Sequence, residues 1–184
     1  MNAIANKKTS NNIGNHPLSE VAMGKLMPQA IDLEMAVLGA LILSVEAMPL
    51  LTDLLTPDSF YKESHRLIFA ALISLYEQGK PTDMLMLTEE LRKSGSLEAV
   101  GGAYYIVGLT NRVASAANIE YHARIIAQKH IARSLIKTST NILNAAYDET
   151  TDVFELLLES QEQLMNVDNR TSVAVRTSQD AAMD

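Results

Sequence analysis

The side chains here that could act on a phosphate, a metal or a proton are few and scattered. A nucleotide-hydrolysing site needs a glycine-rich loop ending in Gly-Lys-Ser/Thr, so that backbone N–H groups cradle phosphate and the hydroxyl reaches magnesium. The two Gly-Lys pairs, Gly24-Lys25 and Gly79-Lys80, are followed by Leu26 and Pro81, and neither has a glycine five residues upstream. ATP hydrolysis is therefore not expected of these residues. His122 and His130 stand eight apart on one helical stretch, with no cysteine to complete a metal set. His65 has no nucleophile or acid pattern beside it and reads as a capping or packing residue. Glu89 and Glu90 are adjacent, so they diverge around a helix instead of converging on a substrate. Gly101-Gly102 could bind an anion at a helix N-terminus, but a tight turn is the better reading. Arg124, Lys129, Arg133 and Lys137 could touch nucleic acid; a solvated helix face that pairs with an acidic helix accounts for them better. No residue is assigned as catalytic, cofactor-binding or metal-ligating.

What remains is shape, and it centres on the stretch from Asn118 to Tyr147 and then from Asp152 to Val167. No Gly or Pro interrupts the first run, which permits a helix of about 45 Å. Asn118 is placed to cap it, with Glu120 in its first turn. Asp152 is placed to cap the second helix, with Glu155 three residues on in a capping-box arrangement. At about 100° per residue, Ile125, Ala132, Leu135, Ile136, Ile142, Leu143 and Ala146 form one stripe. Val153, Leu157, Leu164 and Val167, with Ser160 between, form a coiled-coil-like seam. A further stripe runs beside that seam: Phe154, Leu158 and Met165. One antiparallel partner helix covers one seam, not both. The second stripe must then meet the head domain or another copy of the hairpin, or wet at its edge. Phe154, Leu158, Met165, Leu135 and Ile142 are the expected self-association residues.

Charge favours the pairing. The first long helix carries Arg124, Lys129, Arg133 and Lys137 against Glu120 alone. The region after it carries Asp148, Glu149, Asp152, Glu155, Glu159, Glu162 and Asp168 and no Lys or Arg. Such exposed pairs contribute about 0–1 kcal/mol each, so they select an orientation more than they stabilise it.

Composition narrows the classes. With 184 residues and 47% hydrophobic content, the chain holds one modest domain plus extensions. It has no cysteine, which fits a reducing compartment. The apolar run through Ala36 to Leu43 is far short of a membrane span, and no signal pattern opens the chain; a cytoplasmic protein is expected. A net charge of −7 argues against a general nucleic-acid-coating surface, because backbone binding needs clustered Lys and Arg.

The expected organisation is all-α. Residues 1–28 form a disordered N-terminal tail. Residues 29–117 form a helical head of about five to six helices, residues 118–167 a long antiparallel helical hairpin, and residues 168–184 the start of a linker. Within the head, Asp32 caps a nearly all-apolar central helix, and residues 46–55 form a short helix that tolerates Pro49 in its first turn. A helix from about Ser64 to Glu77 ends at Gly79 and Pro81. Asp83 caps the next helix, and Gly101-Gly102 opens another, from Ala103 to about Arg112.

These residues also carry a resemblance. Asp32-x-Glu34-x-Ala36-Val37-Leu38-Gly39-Ala40-Leu41 and Phe60-Tyr61-x-x-x-His65-x-x-Ile68-Phe69 resemble the N-terminal domain of bacterial DnaB-type replicative DNA helicases. So do Gly79-x-Pro81-x-Asp83, Leu97-x-x-x-Gly101-Gly102-x-x-Tyr105 and Ser115-Ala116-Ala117-Asn118-Ile119-x-x-x-Ala123-x-Ile125-Ile126. The motifs run in order from roughly Met27 to Val167. Two positions depart: Ala114 stands where the family usually has Pro, and Thr82-Asp83 where it has Ile-Asp. The resemblance implies hairpins that pair between subunits, dimers that assemble three together as the collar of a hexamer, and docking of the primase C-terminal domain, with a helicase loader in some bacteria. It implies that ATP, magnesium and most DNA contact belong to a RecA-like motor domain beyond the linker. The alternative is a stand-alone helical adaptor or loader-like protein.

Overall fold

The computed structural model describes residues 26–111 and 118–169, the last two by backbone alone. The expectations for residues 1–25, for the joint around Ser115–Ala117 and for the linker after residue 169 fall outside these residues. Among the described residues all regular structure is helical. Five helices form the head: α1 (Ile31–Leu43), α2 (Met48–Leu54), α3 (Glu63–Glu77), α4 (Met84–Lys93) and α5 (Gly102–Thr110). Two make the arm: α6 (Ile119–Ala146) and α7 (Val153–Asn169). None is long and apolar enough by itself to cross a membrane.

α1 is the centre of the head because it is apolar nearly all round. Val37, Leu38 and Leu41 are sealed from solvent, and α1 packs against α3, α5 and α6. Each such side chain is worth roughly 1.5–3 kcal/mol when fully covered. Phe60 and Phe69 meet below it with ring centroids 4.8 Å apart and planes tilted by 41°. The first turns of α6 join this core through Ala123, Ile126 and Ala127, so the arm's long helix is rooted in the head.

Local signals explain most boundaries. Asp83 Oδ1 accepts from the N–H groups of Leu85 (2.9 Å) and Met86 (3.0 Å), capping α4 as expected. Gly79 takes φ +65° at the end of α3, where its N–H reaches Tyr76 O and that of Lys80 reaches Leu75 O, both at 2.9 Å. Asp152 Oδ1 accepts from Phe154 N (2.8 Å) and Glu155 N (3.3 Å), a one-sided cap on α7.

Several boundaries differ from expectation. Asp32 does not cap α1: Ala30 holds that place, without a side-chain bond, and Asp32 lies in the first turn. Its charge still faces the positive helix end. Asn118 sits at the start of α6 but makes no capping bond. Residues 45–54 form a 3-10 turn (Val45–Ala47) and then α2, because Pro49 has no N–H with which to carry one helix through. At the expected end of the tail, the carbonyl of Pro28 is held by Arg133.

Candidate assembly surface and the junction beneath it

A buried polar cluster forms inside the head. Glu34 is the one acid on the buried face of α1, only 1% exposed. Its Oε1 accepts from Tyr61 N at 2.7 Å. Its Oε2 accepts from His65 Nδ1 at 2.7 Å, with Lys62 N at 3.5 Å. With Nδ1–H donating to the carboxylate, His65 Nε2 is the acceptor for the Tyr105 hydroxyl, 2.7 Å away. Lys62 Nζ donates to the same hydroxyl at 3.1 Å and lies 4.7 Å from the ring centroid. α1, α3, α5 and the turn before α3 are thereby tied together, and the Glu34 carboxylate, both His65 ring nitrogens and the Tyr105 hydroxyl all have partners.

His65 thus packs within the head as expected, in a more specific way: it bridges an acid and a phenol. Arg133 is a correction. It was expected on the solvated face of α6; instead it is buried, donating to Pro28 O (2.8 Å) and Ser59 O (2.6 Å). Arg124 pairs with Glu120 on its own helix at 2.6 Å. Glu89 pairs with Arg92, while Glu90 accepts from Ser74 at 3.3 Å, so the two acids diverge. Gly101 takes φ +96°, and the N–H groups of Gly101 and Gly102 bond to Glu98 O and Leu97 O. The two glycines thus serve the tight turn that leads into α5. Among the described residues no three His, Cys, Asp or Glu side chains gather as a metal set would.

The arm is the larger surprise. Its inner line on α7 is Leu156, Ser160 and Val167, with Ser160 Oγ satisfied by Leu156 O at 2.6 Å. Val153, Leu157 and Leu164, assigned to the intramolecular seam, are exposed. So are Leu135, Ile136 and Leu143 from the α6 stripe, while Ile142 is half-buried. A groove of about 660 Å³ lies between head and arm, lined by polar side chains such as Ser134, Lys137, Asn141 and Gln163 and by apolar ones such as Leu54, Ile131 and Val167. The exposed apolar residues of both helices turn outward.

Phe154, Leu158 and Met165 are 82%, 68% and 66% exposed. The head does not cover them, which removes one of the two partners the sequence left open. Leu135, Ile136 and Leu143 are exposed on α6 as well, so each arm helix carries an outward apolar stripe. Exposed apolar stripes of this kind mark interaction surfaces. The acids Glu155, Glu159 and Glu162 flank it on α7.

The fold and this face together define an all-α, head-and-arm interaction domain. The chain belongs to the family of DnaB-like helicase N terminal domains, which residues 26–128 match. Replicative DNA helicase DnaB of Rhodothermus marinus is 47% identical over 152 residues, 83% of this chain and 16% of that protein. Replicative DNA helicase DnaC of Bacillus subtilis is 39% identical over 157 residues, 85% of this chain and 35% of that protein. The chain thus spans from about a sixth to about a third of these relatives. The N-terminal domain of DnaB helicase from Mycobacterium tuberculosis superposes with TM-score 0.72 at 33% identity, covering 76% of this chain and 98% of that one. A DnaB-like replicative helicase, described with its interactions with primase, shares the fold with TM-score 0.62 at 21% identity, over 84% of this chain and 36% of that one.

Proposed function

We propose that this chain is the N-terminal assembly and primase-docking domain of a replicative DNA helicase. In this reading the outward faces of the arms clasp one another, dimers join as the collar of a hexamer, and the collar receives the C-terminal domain of primase. The domain works by presenting helical surfaces. Unwinding DNA with ATP and magnesium would fall to a motor domain elsewhere in the parent protein. A helicase loader is a further partner this surface could serve.

One observation carries the reading: the apolar stripes of α6 and α7 face away from the head, which a solitary domain has no reason to maintain. Membership of the helicase family and the primase named with one structural neighbour support it. Titration calorimetry with the C-terminal domain of a bacterial primase tests the docking. Saturable binding is expected; no heat at tens of micromolar, from a partner of matched source, would overturn it.

A further inference from the structure

α6 turns one charged side chain into the head. Arg133 is 9% exposed, and the two groups it donates to are backbone carbonyls from separate segments. Nη1 reaches Pro28, ahead of α1, and Nη2 reaches Ser59, in the 3-10 turn Pro57–Ser59. The Tyr61 ring centroid lies 5.7 Å from its guanidinium carbon. Burial pushes this guanidinium below its ordinary pKa; the charge of Glu34 pulls it back up, Arg66 lowers it and Tyr61 raises it. A charge so placed is costly unless its geometry is well satisfied, and the planar fork of Arg suits two fixed acceptors.

Its place along the helix gives the arrangement a consequence. The last apolar core contact of α6 is Ala127. Beyond Arg133, Lys137 and Asn141 border the open groove. From Arg133 to the end of α6 at Ala146, about 20 Å at 1.5 Å per residue, no residue of α6 belongs to the buried core of the head. Over that length a turn of about 10° at the root moves the tip by about 3 Å.

We infer that Arg133 is a positioning residue that fixes the angle at which the arm leaves the head, and so the direction in which the outward face meets a second copy. The second half of this statement rests on the assembly reading above; the first does not. Arg133→Lys keeps the charge but replaces the planar fork with a shorter, compact ammonium that does not reproduce the two bonds in their fixed geometry. Arg133→Met keeps much of the apolar stem and removes the charge.

Because the chain has no cysteine, spin labels can be placed cleanly at Glu77→Cys on the head and Tyr147→Cys at the arm tip, both exposed. Double electron–electron resonance, with labelled protein diluted in unlabelled protein, then reads the intramolecular head-to-tip distance. A narrow distribution is expected with Arg133 present, broadened or shifted by about 3 Å or more in Arg133→Met and Arg133→Lys while helicity by circular dichroism is kept. A merely structural Arg133 would lower the melting temperature and leave the distribution unchanged, which would overturn the inference. If Arg133→Met does not fold, Arg133→Lys decides by the same criterion. Sedimentation of the unsubstituted protein separates the two readings: a monomer ends the assembly reading, and the distances still decide the role of Arg133.

Discussion

Glu34 and His65 share a hydrogen bond of 2.7 Å with neither side chain reaching solvent. The carboxylate also accepts from the turn before α3, so its removal leaves several buried donors bare at once. Glu34→Ala should cost about 2–5 kcal/mol, because it leaves the Tyr61 N–H and His65 Nδ1–H without their acceptor at about 1–3 kcal/mol for each buried group. Glu34→Gln keeps an acceptor and should cost less, about 1–3 kcal/mol. Urea unfolding followed by circular dichroism measures both. A loss under about 1 kcal/mol in Glu34→Ala would mean that the cluster does not hold the head together.

Gly101→Ala should be more damaging than Gly79→Ala. Both positions have positive φ, +96° and +65°, and an alanine there costs roughly 1–2 kcal/mol. At Gly101 the added Cβ also comes within 3.1 Å of Tyr105 Cβ, whereas at Gly79 it meets nothing within 4 Å. Tyr105 is held by His65, so it cannot yield freely. Matched unfolding curves check the order; equal stability of the two variants would contradict it.

Leu38→Asp and Leu158→Asp should have opposite consequences. Leu38 is fully buried in α1 and Leu158 is 68% exposed. An aspartate at 38 is an unpaired buried charge that should unfold the head. At 158 it should leave helicity and melting temperature nearly unchanged in the separated chain. Circular dichroism during a thermal scan distinguishes them, and loss of helix in Leu158→Asp would refute the outward placement of that side chain.

The turn of the hairpin should respond to acid. The Thr150 hydroxyl and then the Thr150 N–H bond to Asp148 Oδ1, at 2.7 and 2.9 Å, and hold its carboxyl below the usual 3.8. A folded value below the unfolded one stabilises the turn above the unfolded pKa, and that contribution is lost as pH falls through the folded value. The Asp148 carboxyl, followed by NMR, should titrate below 3.8, and Thr150→Ala should move it upward. Titration of the unsubstituted protein at or above 3.8 would contradict the bond.

The periodicity of the long helices revealed apolar stripes but not what each stripe faces. Leu135, Ile136 and Leu143 form a stripe whether they meet α7, the head or another chain; which of these holds depends on how two distant segments pack. Leu156 carried the inner line of α7 unnoticed because Leu157 and Leu158 beside it fit stripes equally well. Glu34 stands in the sequence only as one position of a family motif; its burial and its bond to His65, 31 residues on, come from the packing of α1 on α3. Arg133 was not legible, because on its own helix it has the spacing of the surface cations Lys129 and Lys137. Its acceptors are main-chain carbonyls, which leave no trace in side-chain identity.

The mass of the protein in solution is the most direct test of the outward arm face. Sedimentation equilibrium should give a multiple of the 20.1 kDa chain for the unsubstituted protein, falling to a single chain in Leu158→Asp. A mass of 20.1 kDa for the unsubstituted protein at high concentration, or no change in Leu158→Asp, would contradict the account.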